Sequence, residues 1–108
     1  MDPVRATRWT AQALCAFMAV VQVALQYGFG PNRAPAGLFL LFTGLWIFGF
    51  AMLRLAPWFG AAGTAAWGLI AALGAWRMDH SWLLVGGSLA VAAAALANLA
   101  ALARRRQA

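Results

Sequence analysis

Charge is what this chain has least of. Only 9% of its 108 residues are charged, lysine and glutamate are absent, and the acids are Asp2 and Asp79 alone. Soluble domains carry about a quarter charged residues, so this shortage excludes an ordinary water-soluble domain. Cys15 is the one cysteine, which excludes an internal disulfide and any cysteine-based metal cluster, since each needs several thiols. His80 is the one histidine, which excludes bis-histidine haem ligation within one chain and leaves a zinc site short of ligands.

The same shortage leaves little to catalyse with. Asp79-His80-Ser81 has the composition of a catalytic trio, but consecutive residues do not converge in triad geometry. A helix cap and turn is the better account. Cys15 sits inside an apolar run and is expected to be an inert thiol. Gly28-Phe29-Gly30 lacks the third glycine and the preceding strand of a dinucleotide loop. No enzyme activity, cofactor or metal is expected.

What the chain does have is apolar length. It is 65% hydrophobic, with a mean hydropathy of +0.78. Its charges fall at the start (Asp2, Arg5, Arg8), at the end (Arg104, Arg105, Arg106) and, between them, only at Arg33, Arg54, Arg77 and Asp79. These divide the chain into four uncharged runs of roughly 20 residues, the length that crosses about 30 Å of hydrocarbon. The predicted fold is all-α, an integral membrane bundle of four antiparallel transmembrane helices with short loops. It forms one domain over 1–108, with spans at about 8–28, 35–53, 57–76 and 81–103.

Turn chemistry agrees with these bounds. Gly28 to Ala34 is dense in turn formers, Pro35 and Pro57 suit first helical positions, and Asp79 or Ser81 suits an N-cap. Short connections make consecutive helices antiparallel neighbours. The first run has no A-x-A-like cleavage site and is followed by three more, so it is expected to be retained rather than removed as a signal peptide. Cys15 also lacks the flanking residues of a lipid-attachment cysteine.

The net charge of +6 does not point to nucleic acid, because the arginines are scattered among span ends and form no patch on a soluble face. With four spans, Arg5, Arg8, Arg54, Arg104, Arg105 and Arg106 share one side, against Arg33 and Arg77 on the other. The positive-inside rule then places both termini in the cytoplasm. Arginine without lysine, in an alanine-rich chain, fits a bacterial inner membrane.

Polar residues inside the runs are the candidate functional positions. Gln12, Cys15, Ala19, Gln22 and Gln26 recur at steps of three and four and so share one stripe of span one. On span four, Ser88 and Asn98 lie at matching depths. Gln12 and Asn98 fall roughly 9 Å to the cytoplasmic side of the middle, and Gln22 and Ser88 roughly 6 Å to the outer side. Both pairs share one index sum, as facing positions of antiparallel helices do. Spans one and four are therefore expected to pack through Gln12–Asn98 and Gln22–Ser88, within one chain or between two copies, setting register more than strength. If that stripe faced water instead, it would line a polar path.

Span three offers Gly60, Thr64, Gly68 and Ala72 as a small-xxx-small face, and span four is rich in glycine and alanine. Span two carries an aromatic stripe of Phe39, Phe42, Trp46 and Phe50, expected to serve packing or lipid contact. Trp46 and Trp67 fall at mid-membrane, where each indole N–H wants an acceptor. No ionisable residue lies within a span, against the usual signature of proton-coupled transport.

Size and span number resemble the small multidrug resistance transporters, but that family depends on a glutamate in its first span and this one has no acid there. Small fluoride channels and phage holins are of similar size, and neither motif is present. The expected partners are the lipid bilayer and either a second copy or another membrane protein. The expected role is packing, as a homo-oligomer or an accessory subunit. The alternative is a small oligomeric passive channel or transporter.

Overall fold

A computed structural model describes residues 3–27, 36–78 and 82–107, with side chains for 3–24, 40–77 and 82–105. The Gly28–Ala34 turn, Pro35, the Asp79-His80-Ser81 turn, and the side chains of Gln26, Tyr27 and Phe39 lie outside the described residues. Four helices account for nearly all the rest: α1 Pro3–Tyr27, α2 Ala36–Leu55, α3 Pro57–Met78 and α4 Trp82–Gln107. Among the described residues there is no strand.

The helices outrun the predicted spans at the arginine-bearing ends. Helix α1 begins at Pro3 rather than near Arg8, and α4 continues through Arg104 and Arg105. A span stops where apolar residues stop, whereas a helix stops only where its backbone bonding fails. Arginine is a good helix former, and Pro3 suits a first turn, whose N–H groups need no intrahelical acceptor.

Each helix packs on its neighbours in sequence, and α1 also packs on α4, closing a ring in which diagonal helices make no contact among the described residues. Every interface is antiparallel. Only Ala56 separates α2 from α3: its N–H donates to Met52 O (2.8 Å), and its own carbonyl accepts from Gly60 N–H (2.6 Å). Pro57 follows without an N–H to lose. This hairpin lays Gly60 on the backbone of Met52 and Leu53, where a Cβ would overlap. Further along, a Cβ on Gly68 would stand 2.9 Å from Ser88 O and 3.0 Å from Ala92 N. The predicted small face of α3 is what allows both approaches, and Gly60, Thr64, Gly68 and Ala72 are all buried.

Eight of the seventeen buried hydrophobic residues are alanine, whereas twenty large ones are exposed, among them Phe17, Ile47, Phe59, Ile70, Leu83 and Leu96. Large apolar side chains thus face outward on all four helices, alongside the buried Met18, Trp46, Leu53, Leu84 and Leu102. Of the described helices, α3 over Pro57–Arg77 and α4 over Trp82–Arg105 are each long and apolar enough to cross a membrane; Leu40–Leu55 of α2 is a shorter apolar stretch.

Tryptophan marks the ends of the bundle. Trp9 and Trp58 are exposed at the end where α1 and α3 begin, and Trp76 and Trp82 at the opposite end, edge-on with centroids 5.2 Å apart. On α3, Trp58 and Trp76 are separated by roughly 27 Å along the axis. Arg5, Arg8, Arg54, Arg104 and Arg105 lie at the Trp9 end, and Arg77 at the other.

Candidate functional site: the polar seam of the first helix

Helix α1 is the polar one, and its hydroxyls show how an apolar bundle accommodates it. Thr7 Oγ1 donates to Pro3 O (2.7 Å), and Thr10 Oγ1 to Ala6 O (2.9 Å). Turning back one helical turn satisfies a hydroxyl without help from solvent.

The stripe that α1 buries is Val4, Ala11, Cys15, Met18 and Val21. Of the described members of the predicted stripe, only Cys15 lies in it. Gln12, Ala19 and Gln22 stand half-buried on its flank. Close fit decides the matter. The Met18 thioether lies on Gly87 of α4, where a Cβ would collide with its sulfur. A short α4 surface opposite a long flexible side chain brings the two backbones together, and the glutamines are left to reach sideways.

Helices α1 and α4 do pack antiparallel, as their polar positions predict, but in another register and with other partners. Asn98 is 1% exposed. Its Nδ2 donates to Val4 O and to Thr7 Oγ1, both at 3.0 Å. Gln12 belongs to a different interface: its Nε2 donates to Phe50 O of α2 at 3.0 Å. The expected Gln12–Asn98 pair is therefore not formed within the chain. Thr7 takes the place of Gln12, a slide of ~5 residues or roughly 7.5 Å. The same register sets Met18 against Gly87, so Gln22 does not face Ser88. Ser88 is buried, with its carbonyl against Gly68 of α3. Thr7 was the residue missed. Its signal was present, since a threonine near a span end is a short donor–acceptor that fits a helix interface.

The two mid-bundle tryptophans meet. Trp46 and Trp67 lie edge-on with centroids 5.7 Å apart, and Phe42 packs on Trp67 at 5.1 Å. The aromatic stripe of α2 thus turns partly inward: Trp46 is buried, Phe42 half-buried and Phe50 exposed. The acceptors expected for the indoles are not supplied. Trp46 Nε1, Trp67 Nε1, Thr43 Oγ1 and Thr64 Oγ1 are all buried without a hydrogen-bond partner. Unlike Thr7 and Thr10, these two threonines do not turn back on their own helices. Thr64 Oγ1 instead lies 2.9 Å from where a Cβ on Gly49 would stand, with Cys15 Sγ at 3.7 Å from the same point. Cys15 is 0% exposed.

Among the described residues no group of three or more His, Cys, Asp or Glu is placed to hold a metal ion. No protein family, curated protein or solved structure matches the chain.

Proposed function

We propose that the protein is a four-span integral membrane protein of a bacterial cytoplasmic membrane, with both termini in the cytoplasm. It acts without catalysis, by packing its helix faces against further copies of itself or against a larger membrane complex. The observation that carries this reading is the apolar outer shell of large side chains, bracketed by tryptophans at both ends. The roughly 27 Å between Trp58 and Trp76 matches the ~30 Å of hydrocarbon between two interfacial aromatic belts. Six described arginines at one end (Arg5, Arg8, Arg54, Arg104, Arg105 and Arg106) against Arg77 at the other support the orientation.

Helix α1 is the least apolar, and its inward bonding is what fits it to a bilayer. Gln12 donates to a backbone carbonyl, while Thr7 and Thr10 donate within their own helix, so each meets an acceptor that lipid lacks. The uncharged stretch from Ala34 to Leu53 gives α2 its length.

A small oligomeric passive channel or transporter is the second reading, favoured by the four unpartnered buried polar atoms of α2 and α3. The two differ at Cys15. A packing bundle keeps this thiol unreactive toward a water-soluble maleimide in intact membranes, whereas a water-filled path exposes it from one side. Purification in mild detergent followed by mass determination tests the first reading. A defined homo-oligomer or a stoichiometric partner is expected, and a monodisperse monomer without partners would contradict it.

A further inference from the structure

We propose that the groove between α1 and α2 seats one anionic phospholipid, its phosphate between Arg8 and Arg54 and an acyl chain along Ala16, Ile47 and Phe50. The site rests on the membrane reading above and adds a ligand to it.

The register of the two helices brings the arginines to one level. Gln12 Nε2 donates to Phe50 O at 3.0 Å, which sets those two residues beside each other in an antiparallel pair. Arg8 precedes Gln12 by four residues and Arg54 follows Phe50 by four, and residues four apart share a helix face. One turn beyond the bond, each helix therefore carries an arginine on the face that borders the groove, Arg8 half-buried and Arg54 exposed. Two like charges at one level repel, and no described residue of the chain is acidic. A phosphate between them removes that repulsion and accepts charge-assisted bonds from both guanidiniums. Basic pockets between spans on the cytoplasmic side suit anionic headgroups.

On the other side of the Gln12 bond, toward the middle of the bundle, the same groove turns apolar. A cavity of about 240 Å³ opens there, lined by Cys15, Ala16, Ala19, Trp46, Ile47 and Phe50. Ala16, Ile47 and Phe50 are exposed and form its mouth, while Cys15 and Trp46 are buried and form its floor. A cavity of about 150 Å³ holds a benzene ring, so this one has room for several acyl carbons. Arg54 and Ile47 are separated by roughly 10 Å along α2. Charge and apolar seat thus follow one another along the groove as phosphate and chain do in a phospholipid. A free anion would leave the cavity unused, and a lipid without net charge would leave the arginines uncompensated. Charge complementarity selects the anionic lipid.

The test uses the full chain reconstituted into phosphatidylcholine vesicles with and without phosphatidylglycerol, floated, then released in mild detergent for native mass spectrometry. Retention of one phosphatidylglycerol, in preference to phosphatidylcholine, is expected. Affinity should fall about fivefold for each arginine removed in the series R54Q and R8Q/R54Q. R104Q removes an exposed arginine of α4 from the same end and should leave retention unchanged. Ala16→Phe fills the mouth of the cavity without altering charge and should lower retention. Equal retention of both lipids, an equal loss in R104Q, full retention in Ala16→Phe, or displacement of the lipid by free glycerol phosphate would overturn the site while leaving the membrane reading intact. Failure to float with either vesicle would overturn the membrane reading and the site with it.

Discussion

Replacing glycines by alanine one at a time turns the helix contacts into a graded series, with Gly60 and Gly63 as the decisive pair. They are one turn apart on α3 and receive the same added methyl group. At Gly63 a Cβ meets nothing within 4 Å, whereas at Gly60 it overlaps the carbonyl of Met52 and the amide of Leu53. Those are backbone atoms, held in a hairpin whose only non-helical residue is Ala56, so α2 and α3 must spread at their tightest point. Overpacking of this kind costs about 3 kcal/mol. Gly68→Ala meets Ser88 O at 2.9 Å and Ala92 Cβ at 3.0 Å, which a small helix shift relieves, for about 1–2 kcal/mol. Gly87→Ala meets the Met18 thioether, the end of a flexible chain, and should cost less than Gly68→Ala. Gly63→Ala should be neutral or stabilising by up to about 1 kcal/mol, from helix propensity. Far-UV circular dichroism of each variant, titrated with sodium dodecyl sulfate in mixed micelles, reads the order. Equal midpoints for Gly60→Ala and Gly63→Ala would refute the hairpin geometry.

Three further outcomes follow from the seam. Asn98→Leu removes two hydrogen bonds worth about 0.6 kcal/mol each together with an unpaired buried acceptor costing about 1–3 kcal/mol. Its stability should therefore hold or rise; a loss above about 2 kcal/mol in the same titration would show that the amide bonds dominate. Gln12→Leu should lower stability by about 0.6 kcal/mol and loosen α1 from α2 without changing the α1–α4 contact, as read by cross-linking between cysteines placed at positions 7 and 98. Cys15 should resist maleimide in folded protein and react fully in dodecyl sulfate; fast labelling in the folded state would contradict its burial.

The elements of this fold were legible in the spacing of charge and in turn chemistry. Arg54 and Arg77 fall in the last turns of α2 and α3, and Pro57 fixed a helix start to the residue. That α1 closes on α4 was also legible, because their polar residues lie at comparable depths. The register was not. Polar side chains were matched with polar side chains, yet Gln12 and Asn98 both donate to backbone carbonyls, and every residue of every helix offers one. What selects among registers is the meeting of Met18 with Gly87 and of α4 with the small face of α3. That is a steric fit between particular residues, and no residue type announces it. The tryptophans at mid-depth were expected to find acceptors and did not, because α2 and α3 meet there through ring edges and glycine rather than through exposed carbonyls.

The most direct test of the proposed bilayer setting is nitroxide accessibility. Single cysteines would be introduced in a Cys15→Ala background at Phe17, Ile47, Leu69 and Leu96, one exposed site on each helix, spin-labelled, and reconstituted in lipid vesicles. High access to oxygen and low access to a water-soluble nickel chelate at all four sites is the expected result. Chelate access at any of them comparable to that of a label at Arg104 would contradict a bundle that faces lipid on every side.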